Sequence, residues 1–290
     1  LILVKEDSMK INELEIECTT NNLNLNILKE KNYTSIDSYT INQKDNSISS
    51  FIMLNRNEKI PTETEVLNYF NLENNKEHML NRLFLAKTLN VPLYLISIED
   101  NFNKCQILEL NLENNNFDFE INYYKNEKIL NLDNLYEFFQ RLRNEQRTKI
   151  KPLSHILNSD LISKFNQIGI NLGGNLDGFF IDRINKFFHV IEFSKIGAKQ
   201  IDINGTYTLT YNFNKFMNKD FGRWHAIETL RQSIEKKAPV VLDVIVWSFG
   251  NSYMKIIKDV KFSGNRNSSL KGYFKEEILF ENTLLNKFKP

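Results

Sequence analysis

Two acidic side chains, Asp177 and Glu192, stand where acids are costly. Asp177 falls in the apolar run Leu176–Ile181, and Glu192 lies inside His189-Val190-Ile191-Glu192-Phe193-Ser194. An ionised carboxylate in an apolar strand carries a heavy desolvation cost unless a cation compensates it. Both runs read as strands, and the polar segment Asp182–Lys186 between them reads as a turn. In such a hairpin, a residue near the start of one strand faces a residue near the end of the next. Asp177 and Glu192 are therefore expected to oppose each other. Facing carboxylates repel, and each raises the other's proton affinity. A hard divalent cation removes that penalty. Mg2+ takes one or two carboxylates and completes its shell with waters and substrate phosphate oxygens. The chemistry such a centre offers is activation of water and stabilisation of charge on a phosphoryl group.

The residues around this pair supply the remaining candidates. Side chains alternate along a strand, so Ser194 shares the face of Glu192 while Lys195 points away. Without a bulge after Phe193 the residue on that face is Ser194, and with one Lys195 comes round. Arg223, His225 and Arg231 follow on the next predicted helix as basic candidates for nucleic-acid contact. Lys195, Lys199, Lys255, Lys258 and Lys261 form a candidate phosphate-facing surface, and Asp182 is expected to be solvated in its turn. Gly173-Gly174 lacks the Lys-Ser/Thr that completes a phosphate loop. No Gly-x-Ser-x-Gly or Cys/His pairing offers a covalent nucleophile.

The elements that must position these residues follow from periodicity. A helix is expected over Leu153–Phe165, then a flexible Gly173-Gly174 turn and strands Leu176–Ile181 and Phe187–Phe193. Trp224–Lys237 reads as a helix, with Trp224, Ile227, Leu230 and Ile234 on its inner stripe and Pro239 at its exit. Apart from Asp243, Val240–Trp247 is an apolar strand of the kind buried on both faces. Tyr253–Val260 and Leu270–Phe274 are expected to extend the sheet.

This arrangement resembles the PD-(D/E)XK nuclease superfamily, which includes many type II restriction endonucleases and junction resolvases. The resemblance covers roughly residues 153–247. It implies a restriction-endonuclease-like core of mixed sheet flanked by helices. Asp177 matches the first metal-binding acid and Glu192 the second, and the family's backbone carbonyl ligand falls on Phe193. The lysine expected two residues after the Glu is Ser194 here, with Lys195 one further on. Asp160 is the candidate for the third acid that some relatives use. The resemblance implies Mg2+-dependent hydrolysis of DNA, in a restriction or phage-defence setting. A homodimer follows as the simplest arrangement, since double-strand cutting needs two sites. The alternative is a non-catalytic nucleic-acid-binding or assembly module on a decayed nuclease fold.

The first half offers the same order of elements. Ile36–Ile41 and Ser49–Leu54 read as paired strands, Glu77–Asn90 as a helix stopped by Pro92, Leu93–Ile98 as a buried strand, and Gln106–Leu110 as its neighbour. Laid beside the second half, Asp37 matches Asp177, while Met53 and Asn55 stand at the positions of Glu192 and Ser194. Met53 cannot bind a hard cation. The expectation is a related half without a metal, serving recognition or dimerisation. Asn134–Glu145 closes this half as an amphipathic helix with Leu135, Phe138, Phe139 and Leu142 on one face. Arg147–Lys151 before Pro152 reads as a linker, giving an N-terminal α/β domain over 1–150 and a nuclease-like domain over 151–290.

Composition sets outer bounds. The 290 residues carry 41% apolar and 25% charged side chains, ordinary values for a globular chain. No run reaches the ~18 apolar residues of a membrane-spanning helix, so no membrane partner is expected. Leu1–Val4 is too short for the core of a signal peptide. The net charge of +1 does not advertise a nucleic-acid binder, although clustering matters more than the sum. Cys18 and Cys105 make no disulfide framework and lack His partners at zinc spacing. A cytoplasmic location is the expectation.

Overall fold

Strands form where β-branched and aromatic residues run together, and helices where apolar residues recur at helical spacing. A computed structural model of the chain describes residues 12–13, 33–71, 73–99, 104–112, 119–123, 132–144, 165, 170, 173–195, 208, 210–212, 220–247, 253–264 and 271–281. In chain order the elements are β1 (Asn12–Glu13), β2 (Thr34–Ile41), β3 (Ile48–Asn57), α1 (Glu63–Asn71), α2 (Glu73–Leu89), β4 (Leu93–Glu99), β5 (Cys105–Leu112), β6 (Phe119–Tyr123) and α3 (Leu132–Arg143). They continue with β7 (Gly174–Asp182), β8 (Phe187–Lys195), α4 (Phe221–Glu235), β9 (Val240–Trp247), β10 (Tyr253–Lys258), β11 (Lys261–Ser263), β12 (Lys271–Tyr273) and β13 (Glu276–Glu281). The fold is α/β, with mixed sheet flanked by helices, as expected. Among the described residues, no helix is long and apolar enough to cross a membrane.

Two compact units emerge: Leu1–Glu17 with Ser49–Leu172, and Cys18–Ile48 with Gly173–Pro290. Strand β2 and its Asp37 thus belong with the second unit. The expected linker 147–151 and nearly all of the expected helix Leu153–Phe165 lie outside the described residues.

In the first unit β3 runs parallel to β4, β4 antiparallel to β5, and β5 antiparallel to β6. Helix α3 covers the face that carries Ile52, Leu54, Ile96 and Ile98, through Leu135, Phe138 and Phe139. Helix α1 opens with a capping box. The Thr62 backbone N–H donates to Glu65 Oε2 at 2.6 Å, and the Glu65 N–H donates to Thr62 Oγ1 at 3.3 Å.

In the second unit β2 pairs antiparallel with β7, β7 antiparallel with β8, β8 parallel with β9, β9 antiparallel with β10, and β10 antiparallel with β13. Helix α4 packs on β7, β9 and β11 through buried Trp224, Ile227, Leu230 and Ile234. Leu270–Phe274 does not extend this sheet. Instead Lys271–Tyr273 forms a separate two-stranded ribbon with Lys261–Ser263. The chain turns back at Gly264, whose φ of 114° only glycine adopts without strain.

The acid in β9 is compensated. Asp243 Oδ2 lies 2.9 Å from His189 Nε2, and Asp243 Oδ1 accepts the Asp259 N–H at 2.9 Å. Tyr33 Oη lies 2.7 Å from His189 Nδ1. All three side chains are buried. Strand alternation sets His189 on the face opposite Glu192.

The two units repeat one pairing pattern: strand, helix, parallel strand, then two antiparallel strands. Corresponding backbone bonds fix the register between them. The Phe51 N–H donates to the Pro92 carbonyl at 2.9 Å, and the Phe188 N–H donates to the Pro239 carbonyl at 2.9 Å. Phe51 pairs with Leu93 as Phe188 pairs with Val240. Four residues further along stand Asn55, paired with Ser97, and Glu192, paired with Val244. The equivalence of Met53 with Glu192 is therefore two residues out of register, and Asn55 is the counterpart. Similarity of side-chain types sets Met53 beside Glu192, whereas the backbone ladder sets Asn55 there.

Candidate active site

The site grows from the β7–β8 hairpin. Its ladder runs from Asp182↔Phe187 to Gly178↔Ile191. The next step along that register brings Asp177 opposite Glu192. Both acids are buried. Asp177 Oδ2 accepts the backbone N–H of Phe193 at 2.8 Å, and Asp177 Oδ1 accepts the Asn175 amide at 2.8 Å. These bonds lock the first acid against the strand that carries the second.

Arg223, in the first turn of α4, binds both acids. Its Nε donates to Glu192 Oε1 at 2.6 Å, and its Nη2 donates to Asp177 Oδ2 at 3.3 Å. Nη2 also donates to the Phe193 carbonyl. One guanidinium thus meets the three oxygens that the nuclease resemblance would give to a metal. Glu192 Oε2 is buried without a hydrogen-bond partner among the described residues.

Burial and mutual repulsion govern the protons here. Burial, helped by the charge of Asp177 and opposed by Arg223, pushes Glu192 from its ordinary carboxyl value up to about 8. Burial also raises Asp177, against Arg223 and the Phe193 and Asn175 hydrogen bonds. Burial works against the Arg223 charge, yet Glu192 and Asp177 hold its pKa above the ordinary guanidinium value. The cluster has one firm cation and two acids competing to share it.

Tyr39 and Tyr211 adjoin this cluster, and no motif announced either. Tyr39 pairs with Gly174 across β2 and β7, and a Cβ on Gly174 would strike its ring. Burial, then the charges of Glu192 and Asp177, raise its phenol well above the usual value. Tyr211 Oη lies 3.3 Å from Ser194 Oγ, and its carbonyl accepts from Lys255 Nζ at 3.2 Å. Lys255 stands in register with Val246, and Val246 with Ser194. Lys255 is buried and also donates to Glu277 at 3.0 Å, so it is no part of a solvent-facing lysine surface. The one signal for it in the sequence is its setting between Met254 and Ile256 in a strand.

The other candidates separate. The β8–β9 ladder is unbroken from Phe188↔Val240 to Lys195↔Trp247. No bulge follows Phe193, and Ser194 is the residue on the Glu192 face. Arg231 is buried and bound to Glu228 at 2.9 Å and Glu235 at 3.0 Å, which makes it a clamp within α4. His225 stacks on Phe221, with ring centroids 5.6 Å apart. Lys258 and Lys261 sit beside Glu276 and Glu235, at 3.9 and 3.8 Å. Asp182 is solvated as expected and caps its own turn, accepting the Ile184 and Asn185 N–H groups at 3.0 Å. Lys199 and Asp160 lie outside the described residues. Cys105 is a buried free thiol that burial pushes up to about 12, so it is chemically quiet.

Two carboxylates and a backbone carbonyl are the hard oxygen donors that Mg2+ prefers. The orphaned Glu192 Oε2 has spare acceptor capacity for such an ion. The donor set fits, although Arg223 now stands among it. Among the described residues no group of three or more His, Cys, Asp or Glu side chains gathers for a metal, and this site has two carboxylates. Comparison with known protein families, curated proteins and solved structures found no match to this chain.

Proposed function

We propose that this chain hydrolyses phosphodiester bonds in DNA with Mg2+ held by Asp177, Glu192 and the Phe193 carbonyl. The observation that carries the reading is convergence: two buried acids on adjacent strands and one carbonyl meet a single cationic point. When bound, Mg2+ supplies a water of lowered pKa and a counter-charge for the phosphoryl group. Asp177 is pre-set by the Phe193 and Asn175 hydrogen bonds, so it meets a cation without reorganising. Glu192 offers its free Oε2 either to the ion or to a proton. Ser194 and Tyr211 form a hydroxyl pair beside Glu192, and Lys255 adds a buried positive charge behind them. The first unit, with Asn55 at the position of Glu192, is read as a site-less relative serving DNA contact or a second copy. The restriction or phage-defence setting rests on the sequence resemblance alone.

A second reading has its own observation. Arg223 pairs with both acids without any metal, as a decayed nuclease fold would require. Such a chain would bind nucleic acid or assemble without cutting. Incubating the protein with varied DNA and RNA substrates, with Mg2+ or Mn2+ present, separates the two. Cleavage that Asp177→Ala and Glu192→Ala abolish supports the hydrolase, and no cleavage by the wild-type chain supports the binding module.

A further inference from the structure

We infer that Arg223 is an exchangeable internal cation: it competes with a divalent metal for Asp177, Glu192 and the Phe193 carbonyl, and so gates the site. The inference rests on reading these three oxygens as a cation site, and it assigns that site a regulator. The two occupants exclude each other by geometry and by charge. Arg223 already donates to one oxygen of each acid and to the carbonyl. A dication among the same oxygens would lie against the guanidinium, and like charges at that range repel strongly where water is scarce.

Arg223 has somewhere to go. Its side chain is 30% exposed, while those of Asp177 and Glu192 are 7% and 1% exposed, so the cation sits on the solvent side of the acids. Asp220, three residues earlier at the start of α4, is 57% exposed, with its carboxylate 4.0 Å from Arg223 Nη1. The Trp224 ring lies 5.2 Å from the guanidinium carbon. A rotation about side-chain bonds toward Asp220 frees all three oxygens and keeps a salt bridge, with no change in the backbone of α4. Swinging out also points the guanidinium at solvent, where a phosphate of an incoming strand is a better bidentate partner than Asp220. Metal loading and phosphate binding then favour each other, because each needs the guanidinium out.

Calorimetric titration of Mn2+ into the full chain at pH 8 tests this, with wild type, Arg223→Ala, Arg223→Gln and Arg223→Ala/Glu192→Gln compared. Circular dichroism monitors the fold. The expected result is one Mn2+ bound at least about ten-fold more tightly by Arg223→Ala than by wild type. The gain should disappear in the double variant. Arg223→Gln removes the charge while keeping an amide donor for the carbonyl, so it serves if Arg223→Ala fails to fold. Wild type that binds Mn2+ as tightly as the folded Arg223 variant overturns the gate. Equal failure to bind also overturns it. Tighter Mn2+ binding by a variant in a protein that cuts no nucleic acid leaves the gate standing and removes the hydrolase. Cleavage by wild type with no gain in the variant does the reverse.

Discussion

Strands β3 and β8 occupy the same place in the same pairing pattern, and one buried position separates them in charge. In β8 that position is Glu192, which needs Arg223. In β3 it is Asn55, buried beside Ser97 on β4. The neutral amide carries no charge to compensate, so the first unit needs no cation at that position. The second unit keeps two acids that burial pushes toward protonation and spends an arginine to hold them. Buried acids shifted in this way are what make the second unit, rather than the first, the place of the candidate site.

The comparison breaks most sharply if the acid is moved. Asn55→Glu buries a carboxylate in β3 without an Arg223. It should destabilise the first unit by about 3–5 kcal/mol, the range for an uncompensated buried charge, in urea unfolding. A negligible effect would mean that the two registers are not equivalent. Arg223→Ala should cost the second unit about 2 kcal/mol at pH 8. That is below the range for a fully buried pair, because the guanidinium is 30% exposed. The loss should shrink at pH 5, where Glu192 takes up a proton instead.

Glu192 also predicts a pH slope for the wild-type chain. Its folded pKa, near 8, stands above the ordinary carboxyl value of 4.5. The folded state therefore holds a proton that the unfolded chain releases between those pH values. Stability from this group is full below 4.5 and is lost as pH rises toward 8, by about 1 kcal/mol per pH unit. Asp177 shifts in the same direction. Glu192→Gln should flatten most of the slope in melts from pH 5 to 8, and an unchanged slope would place the proton elsewhere.

The glycines give the smallest contrast. A Cβ at Gly174 meets the Tyr39 ring, so Gly174→Ala should cost about 1–3 kcal/mol through overpacking. A Cβ at Gly222, in the first turn of α4, meets nothing within 4 Å. Gly222→Ala should be neutral or stabilising by up to about 0.5 kcal/mol. Thermal melts of the two variants check the pair.

Where the apolar pattern was strong, the fold was legible. Val240–Trp247 is a strand over the same residues that the sequence marks, and Phe187–Phe193 needs only two more residues. Helix α4 begins at Phe221 rather than Trp224, because its first turn carries no inward apolar residue. Helix α1 and strands β6 and β13 escaped notice. Glu-Glu-Ile-Leu-Phe-Glu, for instance, shows no period-2 alternation. The two acids were legible because charge inside an apolar strand is visible locally. Their counter-ion was not. Arg223 is 31 residues from Glu192 and 46 from Asp177 in the chain, and the sequence offered it to phosphate instead. Tyr39 and Lys255 reach the site's surroundings through sheet register, and Tyr211 through its contact with Ser194, neither of which one sequence reveals.

Cleavage of supercoiled plasmid and duplex DNA by purified protein with Mg2+, Mn2+ or Ca2+ tests the proposed cation site of Asp177, Glu192 and the Phe193 carbonyl. Cutting is expected with Mg2+ or Mn2+, binding without cutting in Ca2+, whose looser shell activates water poorly, and no cutting by Asp177→Ala or Glu192→Ala with the fold intact. Wild-type protein that cuts nothing with either Mg2+ or Mn2+, or a Glu192→Ala variant that cuts as well as wild type, would contradict it.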